Sequence, residues 1–570
     1  MRPNPDQFFL WPPPKLVERT RGAQRVPKAG PKICTFLNPA LAAEAYELEI
    51  TTRYSSLVAG SARGLAHGLT TFDQLRKQCG DVLPCLRIED TPDFPVRGFM
   101  LDISRGKVPS NEALRVLVRQ LAALKYNHLQ LYTEHTFAFR KHQRVWRDAD
   151  PLTPDDLAKL QRLCDENGIE LSANFNSFGH FEQWLKHPPY RQLAECPRGF
   201  THPLKGRVPH GTTLRPSDAS LRFLDKLWAE YLPHFQSPRF NVGGDEPWEL
   251  GLGWSKARVK KFGKHRVYLN FLKKLHAQAA RHGRQMLFWA DILLEAPELV
   301  DEVPADATAL LWGYEANHPF AEQCARLAAA QRKFWVCPGT SAWNTFTGRT
   351  DNMLANLASA AKHGRAHGAE GLLLTSWGDG GNHQPWPIMY PGIAYAAGLA
   401  WNQKAAKRAD VARAVDLVFS QKLGSGYGDV LLQLGRIENP LKHPLPNRSR
   451  HFNLFFATRA QLKKELATLT TAELDAVVAA MDKCREKLYR LGEKYLWEFG
   501  ALGELDTGLD MASWAIHRAL FAKTKKNPRL LKAALPPLIE RFMNAWANRA
   551  REGGLRDSVL RLADIGRELR

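Results

Sequence analysis

The chain has 570 residues, of which 44% are apolar, 24% charged and 10% aromatic, and its formal net charge is +21. That length exceeds one ordinary domain, and the composition is that of a globular protein rather than a disordered or fibrous one. The 79 lysines and arginines are spread along the chain without an arginine-rich tail or a nucleic-acid-binding motif. This argues against a nucleic-acid partner and leaves a basic surface open to acidic or sulfated glycans.

Residues 1–30, rich in proline and basic side chains, are expected to form an extended arm. Residues 31–93 read as a small α/β domain. "AYELEITTRYSSLVAG" alternates like a hairpin, "SARGLAHGLTTFDQLRKQ" reads as a helix, and the turn-rich "IEDTPDFP" marks the boundary. From 94 to 405 short apolar runs alternate with helical stretches. The eight runs are "VRGFMLDIS", "NHLQLYTEH", "IELSANFNSFGH", "RFNVGGDE", "RQMLFWADI", "ATALLWGYE", "KFWVCPGT" and "GLLLTSWGD". Eight β/α units predict a (β/α)8 TIM barrel, with an open doubly wound sheet as the alternative. Residues 406–570 are expected to form an α-helical domain, with "TTAELDAVVAAMDKCREKLYRLGEKYLWEFG" as its clearest amphipathic stretch and a Thr-x-x-Glu start.

No apolar run approaches the length of a membrane-spanning helix. The first residues, "MRPNPDQFFLWPPPK", lack the apolar core of a signal peptide. The compartment stays open between cytoplasmic and an exported form whose leader has been removed, and so does the oligomeric state. The eight cysteines show no zinc spacing; Cys79 and Cys85 could close a small loop, but buried thiols are the default. No metal set, nucleophile elbow or phosphate-binding loop appears, so no cofactor is expected.

In a barrel of this kind the chemistry sits at the C-terminal ends of the strands. Polar and aromatic residues crowd those ends: Arg97 and Asp102 around the first strand, Tyr132, Glu134 and His135 on the second, and Asn174, Asn176 and His180 on the third. The fourth, "FNVGGDEPWELG", ends in Asp245 and Glu246. Later ends carry Trp289 with Asp291, Trp312 with Tyr314, Trp343 with Asn344, and Trp377 with Asp379. Together they describe an aromatic-walled, acid-bearing pocket suited to a pyranose ring, with carboxylate acid/base catalysis as the mechanism class. Neighbours on an extended strand point to opposite faces, so Asp245 and Glu246 are expected to diverge and do different jobs.

The residues 45–400 resemble glycoside hydrolase family 20, the β-N-acetylhexosaminidases. The resemblance rests on "FPVRGFMLDISR" as the first barrel strand, "FNVGGDE" as the Gly-Gly-Asp-Glu signature, and "ARGLAHGLTTFDQL" as the end of the preceding small domain. "LYTEHTFAF", "NSFGHFEQWLKH" and "LLLTSW" look closest to the hexosaminidase D-like branch. The resemblance implies an exo-acting enzyme that removes terminal β-linked GlcNAc or GalNAc with retention. In this family the 2-acetamido group of the substrate acts as nucleophile, the exception to the two-carboxylate scheme. By the same resemblance Glu246 is the general acid/base and Asp245 orients the acetamido group. Arg97 and Asp379 bind sugar hydroxyls, His180 supports the acid, and Trp289, Trp343 and Trp377 wall the pocket. The sequence departs from the family at Asn174, at "YTEH", and at the acetamido-binding Tyr, which appears here as Trp343 or Asn344; Tyr314 is the candidate to replace it. Two other readings stay open: a two-carboxylate glycosidase pairing Glu246 with Glu134, and a silent carbohydrate-binding protein.

Overall fold

The computed structural model describes residues 8–27, 32–203, 206–494, 499–524 and 529–568. Five strands, β1 (Leu16–Arg25), β2 (Ile33–Leu37), β3 (Tyr46–Ile50), β4 (Ser55–Ala59) and β5 (Val82–Asp90), form an N-terminal sheet in the order β1-β5-β3-β4-β2. β3 and β4 are the expected hairpin, with Tyr46 opposite Ala59 and Ile50 opposite Ser55. Their alternation turns Tyr46, Leu48, Ile50 and Leu57 onto the helix Ala62–Cys79. That helix begins where the Ser61 hydroxyl accepts the N–H groups of Arg63 and Gly64.

The arm expected over residues 1–30 is, in its described part, built into this sheet. β1 runs antiparallel to β5, and Trp11 is 1% exposed, with its indole donating to the Ala394 carbonyl at 2.7 Å. The strand escaped notice because it is an edge: all but one of its residues are exposed, so no apolar alternation is needed. Its charges also discourage pairing with another chain.

The eight apolar runs form a closed parallel barrel: β6 (Val96–Asp102), β7 (His128–Tyr132), β8 (Glu170–Asn174), β11 (Arg239–Asn241), β12 (Gln285–Trp289), β13 (Thr308–Trp312), β14 (Lys333–Cys337) and β15 (Gly371–Ser376). A small hairpin, β9 (Phe200–His202) with β10 (Gly206–Val208), is inserted after β8. The barrel is closed by β15 pairing with β6 from Gly371↔Val96 to Ser376↔Leu101, which rules out the open sheet. Met100, Leu287, Leu310, Trp335 and Leu373 fill its interior, separately from the larger core between strands and helices.

The chain beyond the barrel is helical. The helix Thr471–Lys494 opens on the expected box: the Glu473 N–H donates to the Thr470 hydroxyl at 3.1 Å, and the Glu473 carboxylate accepts the Thr470 N–H at 2.8 Å. Arg485 joins it to the helix Phe499–Thr524 through Asp506 and Asp510, both at 2.7 Å. This helical region leans on the barrel loops. Pro109 bridges to Ala550, and the Ser558 hydroxyl donates to the Gly381 carbonyl at 2.6 Å. All eight cysteines are free thiols; seven are buried and Cys34, on edge strand β2, is exposed. No described helix is long and apolar enough to cross a membrane.

Candidate active site

The site is assembled around the turn that ends β11. Gly243 and Gly244 have φ of +73° and +97°, and a Cβ on Gly243 would stand 1.7 Å from the Asn176 side-chain oxygen. Only glycine tolerates both that conformation and that approach. Glu246 itself is left-handed, at φ +46°. The turn corrects the expectation that Asp245 and Glu246 diverge as neighbours on a strand do. Here the backbone is no longer extended, and both carboxylates reach the same imidazole. His180 Nε2 lies 3.2 Å from Asp245 Oδ2 and 3.5 Å from Glu246 Oε2.

The two acids still sit in different environments. Asp245 is buried, and burial works against its charge. The His180 imidazolium more than offsets this, with Arg105 adding to it, so the carboxyl lies below its ordinary range. Glu246 keeps 35% of its side chain exposed. Its pKa is raised by partial burial; His180 opposes the shift, and the negative charges of Asp245 and Asp379 reinforce it. The Trp248 indole donates to Glu246 Oε2 at 3.4 Å. Burial disfavours the imidazolium of His180, but Asp245 and Glu134 outweigh it and raise its pKa to about 9. His180 is therefore a cation across the neutral range.

Three further residues complete the charge pattern: Arg105, which the sequence did not single out, and Tyr132 and Asp291, which stand among the expected strand-end residues. Arg105, just past β6, lies 3.0 Å from Glu134 and 3.4 Å from Asp102, with its guanidinium over the rings of Tyr132 and Trp377 at 4.7 and 5.5 Å. Tyr132 donates to Glu134 at 2.9 Å and accepts from the Asn176 amide at 2.7 Å. Asp291 accepts the Glu246 N–H at 3.2 Å and the Trp312 indole at 3.4 Å. Burial, followed by the charges of Asp245 and Glu246, raises its pKa well above the usual carboxyl range. Of these neighbouring carboxyls, Asp245 holds the charge and Asp291 the proton.

The aromatic wall is continuous. Trp377 meets Tyr132 edge-on at 4.8 Å and Trp289 at 5.9 Å, and its indole donates to the Tyr314 hydroxyl at 2.8 Å. Tyr314 stacks on Trp312 at 5.3 Å and stands on Trp343 at 4.9 Å. Trp343 is held from the helical region, its indole donating to Asn447 Oδ1 at 2.8 Å. The Asn344 amide donates to the Asn447 carbonyl at 3.3 Å. The Tyr314 hydroxyl lies within the wall, against Trp377. Asp379 is half-buried in the loop after β15 and close enough to act electrostatically on both Arg105 and Glu246. Trp289 is fully buried, with an indole N–H that has no partner among the described residues.

Arg97 is not part of this constellation. It lies near the start of β6, at the opposite end of the barrel, and is 1% exposed. Its guanidinium donates to the Lys125 and Phe94 carbonyls at 2.8 and 3.0 Å, pairs with Glu44 of the small domain and stacks on Trp401 at 5.0 Å. The expected sugar-binding role is therefore corrected: Arg97 joins two domains, and Arg105 is the arginine at the mouth. Among the described residues no cluster of His, Cys, Asp and Glu could hold a metal ion.

Comparison with known proteins agrees with this architecture. The glycosyl hydrolase family 20 catalytic-domain model matches residues 94–367, and the model of that family's domain 2 matches residues 14–91. A beta-hexosaminidase of Akkermansia muciniphila is 26% identical over 314 residues, 50% of this chain and 62% of that protein. Human Hexosaminidase D is 27% identical over 236 residues, 39% of this chain and 46% of its own length. The chain thus spans less than two thirds of each of these relatives. The crystal structure of a Flavobacterium johnsoniae chitobiase superposes with a TM-score of 0.61 at 17% identity, covering 94% of this chain and 98% of that one, and shares the fold. With both family models matched along one continuous stretch, and the Gly-Gly-Asp-Glu turn at the mouth of a closed barrel, the chain belongs to glycoside hydrolase family 20.

Proposed function

We propose that the protein is an exo-acting β-N-acetylhexosaminidase that removes terminal β-linked GlcNAc or GalNAc by a retaining, substrate-assisted mechanism. The observation that carries this reading is the division of labour in the Asp245–Glu246 pair. One carboxyl is buried and held charged by His180; the other is half-open with a raised pKa. Glu246 protonates the glycosidic oxygen as the acetamido oxygen attacks the anomeric carbon, giving an oxazolinium ion. The deprotonated Glu246 then takes a proton from water as it opens that ring. Asp245 stabilises the acetamido N–H as positive charge grows there, and the Tyr314 hydroxyl donates to the acetamido oxygen. Arg105 and Asp379 take the ring hydroxyls, and Trp289, Trp343 and Trp377 form the wall and its support.

The pairing of Glu246 with Glu134 is less well supported. Glu134 is occupied by Arg105 and the Tyr132 hydroxyl, and His180 stands between it and Glu246, with Nδ1 3.8 Å from Glu134. Matched aryl β-glycosides with and without the 2-acetamido group separate the two mechanisms. The acetamido substrate should be favoured by about 10³-fold or more, because an internal nucleophile supplies a high effective concentration. Equal rates would rule out substrate assistance.

The pH profile gives a second test. Asp245 must be charged and Glu246 protonated, so kcat/KM should rise with pH through the low pKa of Asp245 and fall through the raised pKa of Glu246. The His180 cation lowers both. A His180→Gln variant should therefore move both limbs to higher pH. An unmoved profile would show that the imidazolium does not set these titrations.

A further inference from the structure

Two loops beside Glu246 are built of cations and aromatics. One, residues 197–216, follows β8 and carries the β9–β10 hairpin; the other, 252–266, follows the Asp245–Glu246 turn and contains the helix Lys256–Phe262. Together they hold ten lysines and arginines and no aspartate or glutamate. They pack on one another: the Trp254 N–H donates to the Glu195 carbonyl at 2.9 Å, and Arg215 lies over the Trp254 ring at 5.6 Å.

The acids at their base are turned inward. Glu195 is fully buried and accepts the Ser255 N–H and hydroxyl at 2.9 and 2.6 Å, while Glu249 accepts the N–H groups of Thr212 and Thr213 at 3.0 and 2.9 Å. These carboxylates staple the loops from within and leave the outer face cationic. The helix Lys256–Phe262 buries none of its residues. Its exposed Lys256, Lys260 and Lys261 have no carboxylate within ion-pair distance among the described residues. By contrast Arg266, at the end of this loop, and Lys273 are neutralised by Glu302 of a neighbouring segment at 2.5 and 3.0 Å.

Trp248 links this face to the acid. Its indole touches Glu246, and its ring stands 5.1 Å from His202 of the hairpin and packs on Phe200 and Val208. Glu246 delivers its proton to the departing oxygen, so the sugar behind that oxygen is the group that meets Trp248 and then the cations beyond it. We infer that the β9–β10 hairpin and the loop through Lys256–Phe262 form a leaving-group subsite for an anionic sugar, one that bears a sulfate or a carboxylate. The inference rests on the hexosaminidase reading for the direction of the leaving group. Trp248 supplies the face for the sugar ring, and Arg207 with the lysines of the helix supplies the field.

Rates on a set of disaccharides with the same terminal β-N-acetylhexosamine test it. The reducing sugar is a neutral hexose, its sulfate ester or the corresponding uronic acid, with an aryl glycoside as reference. The anionic substrates should exceed the neutral one in kcat/KM by about tenfold at low ionic strength. That advantage should shrink toward unity near about 0.5 M salt, where the screening length is only a few ångströms. The sulfate and uronate arms show which anion is preferred. Arg207→Glu and Lys260→Glu should each lower the ratio of anionic to neutral rates. Equal rates for neutral and anionic disaccharides, with the aryl glycoside still hydrolysed, would overturn the subsite. Binding of the same disaccharides to a Glu246→Gln protein tests it without turnover. Salt-dependent preference for the anionic ones supports the subsite even where the aryl glycoside proves inert, a result that would overturn the hydrolase reading alone. No such preference overturns the subsite.

Discussion

Replacing Glu246 by Gln should lower kcat/KM on an N-acetyl-β-hexosaminide with an alkyl or sugar leaving group by about 10²–10⁴-fold, the usual contribution of a placed acid/base. The amide keeps the shape of the side chain. The Glu246 N–H to Asp291 and the left-handed turn at φ +46° belong to the backbone and remain. What is lost is the proton. The loss in the first step should therefore grow with the basicity of the leaving group: modest for a nitrophenolate, which departs unaided, and larger for an alkyl or sugar alcohol. Rates across such a series measure the slope. A loss that does not depend on the leaving group would mean that Glu246 does not protonate it, and unchanged turnover would remove Glu246 from catalysis.

The second large effect is on stability. Arg97→Ala should cost about 3–5 kcal/mol, because it leaves a partly buried carboxylate, Glu44, without its main counter-charge. Glu44 also accepts the Asn127 amide at 2.9 Å and lies 3.4 Å from His67, so the joint between small domain and barrel loosens as a unit. Thermal unfolding reads this directly, and kcat of the protein that remains folded should be near that of the parent, since Arg97 stands at the other end of β6 from the acids. A normal melting temperature would refute the joint; a selective rise in KM would restore the sugar-binding role.

The same joint has a sign in pH. Burial holds His67 neutral, with a pKa lowered from 6.5 to about 4, despite the opposing pull of Glu44. The unfolded chain takes up this proton first, so stability is fully present above about pH 6.5 and is lost as pH falls toward 4. Glu44, whose pKa is also depressed, contributes stability above its ordinary value and loses it in stronger acid.

Much of the barrel was legible because each strand is a short apolar run that ends in polar residues, a pattern that survives without knowledge of tertiary contacts. The Asp245–Glu246 turn was legible for a similar reason: Gly243 and Gly244 are needed by the backbone itself. The two arginines of "VRGFMLDISR" were harder to tell apart. Both flank one strand, and only their ends differ, Arg97 entering β6 and Arg105 standing beyond it. Since barrel chemistry gathers where strands finish, counting along the run would have favoured Arg105. Asp291 was visible beside Trp289, but nothing local says that its oxygen meets the Glu246 N–H across 45 positions. Asn447 had no signal at all. It supports Trp343 from a region more than 100 positions later, a contact that exists only once the helices are packed. β1 was missed because an exposed edge strand owes its conformation to its partner, not to its own alternation.

The distribution of sulfur has a practical consequence. Cys34 is the one exposed thiol of eight, and it lies on the outer edge of a sheet whose joint with the barrel is at the ends where the strands begin. A maleimide dye or a gold surface would therefore find a single address on the native protein. The molecule could be immobilised through β2 in one orientation, with its catalytic mouth left open to the solution.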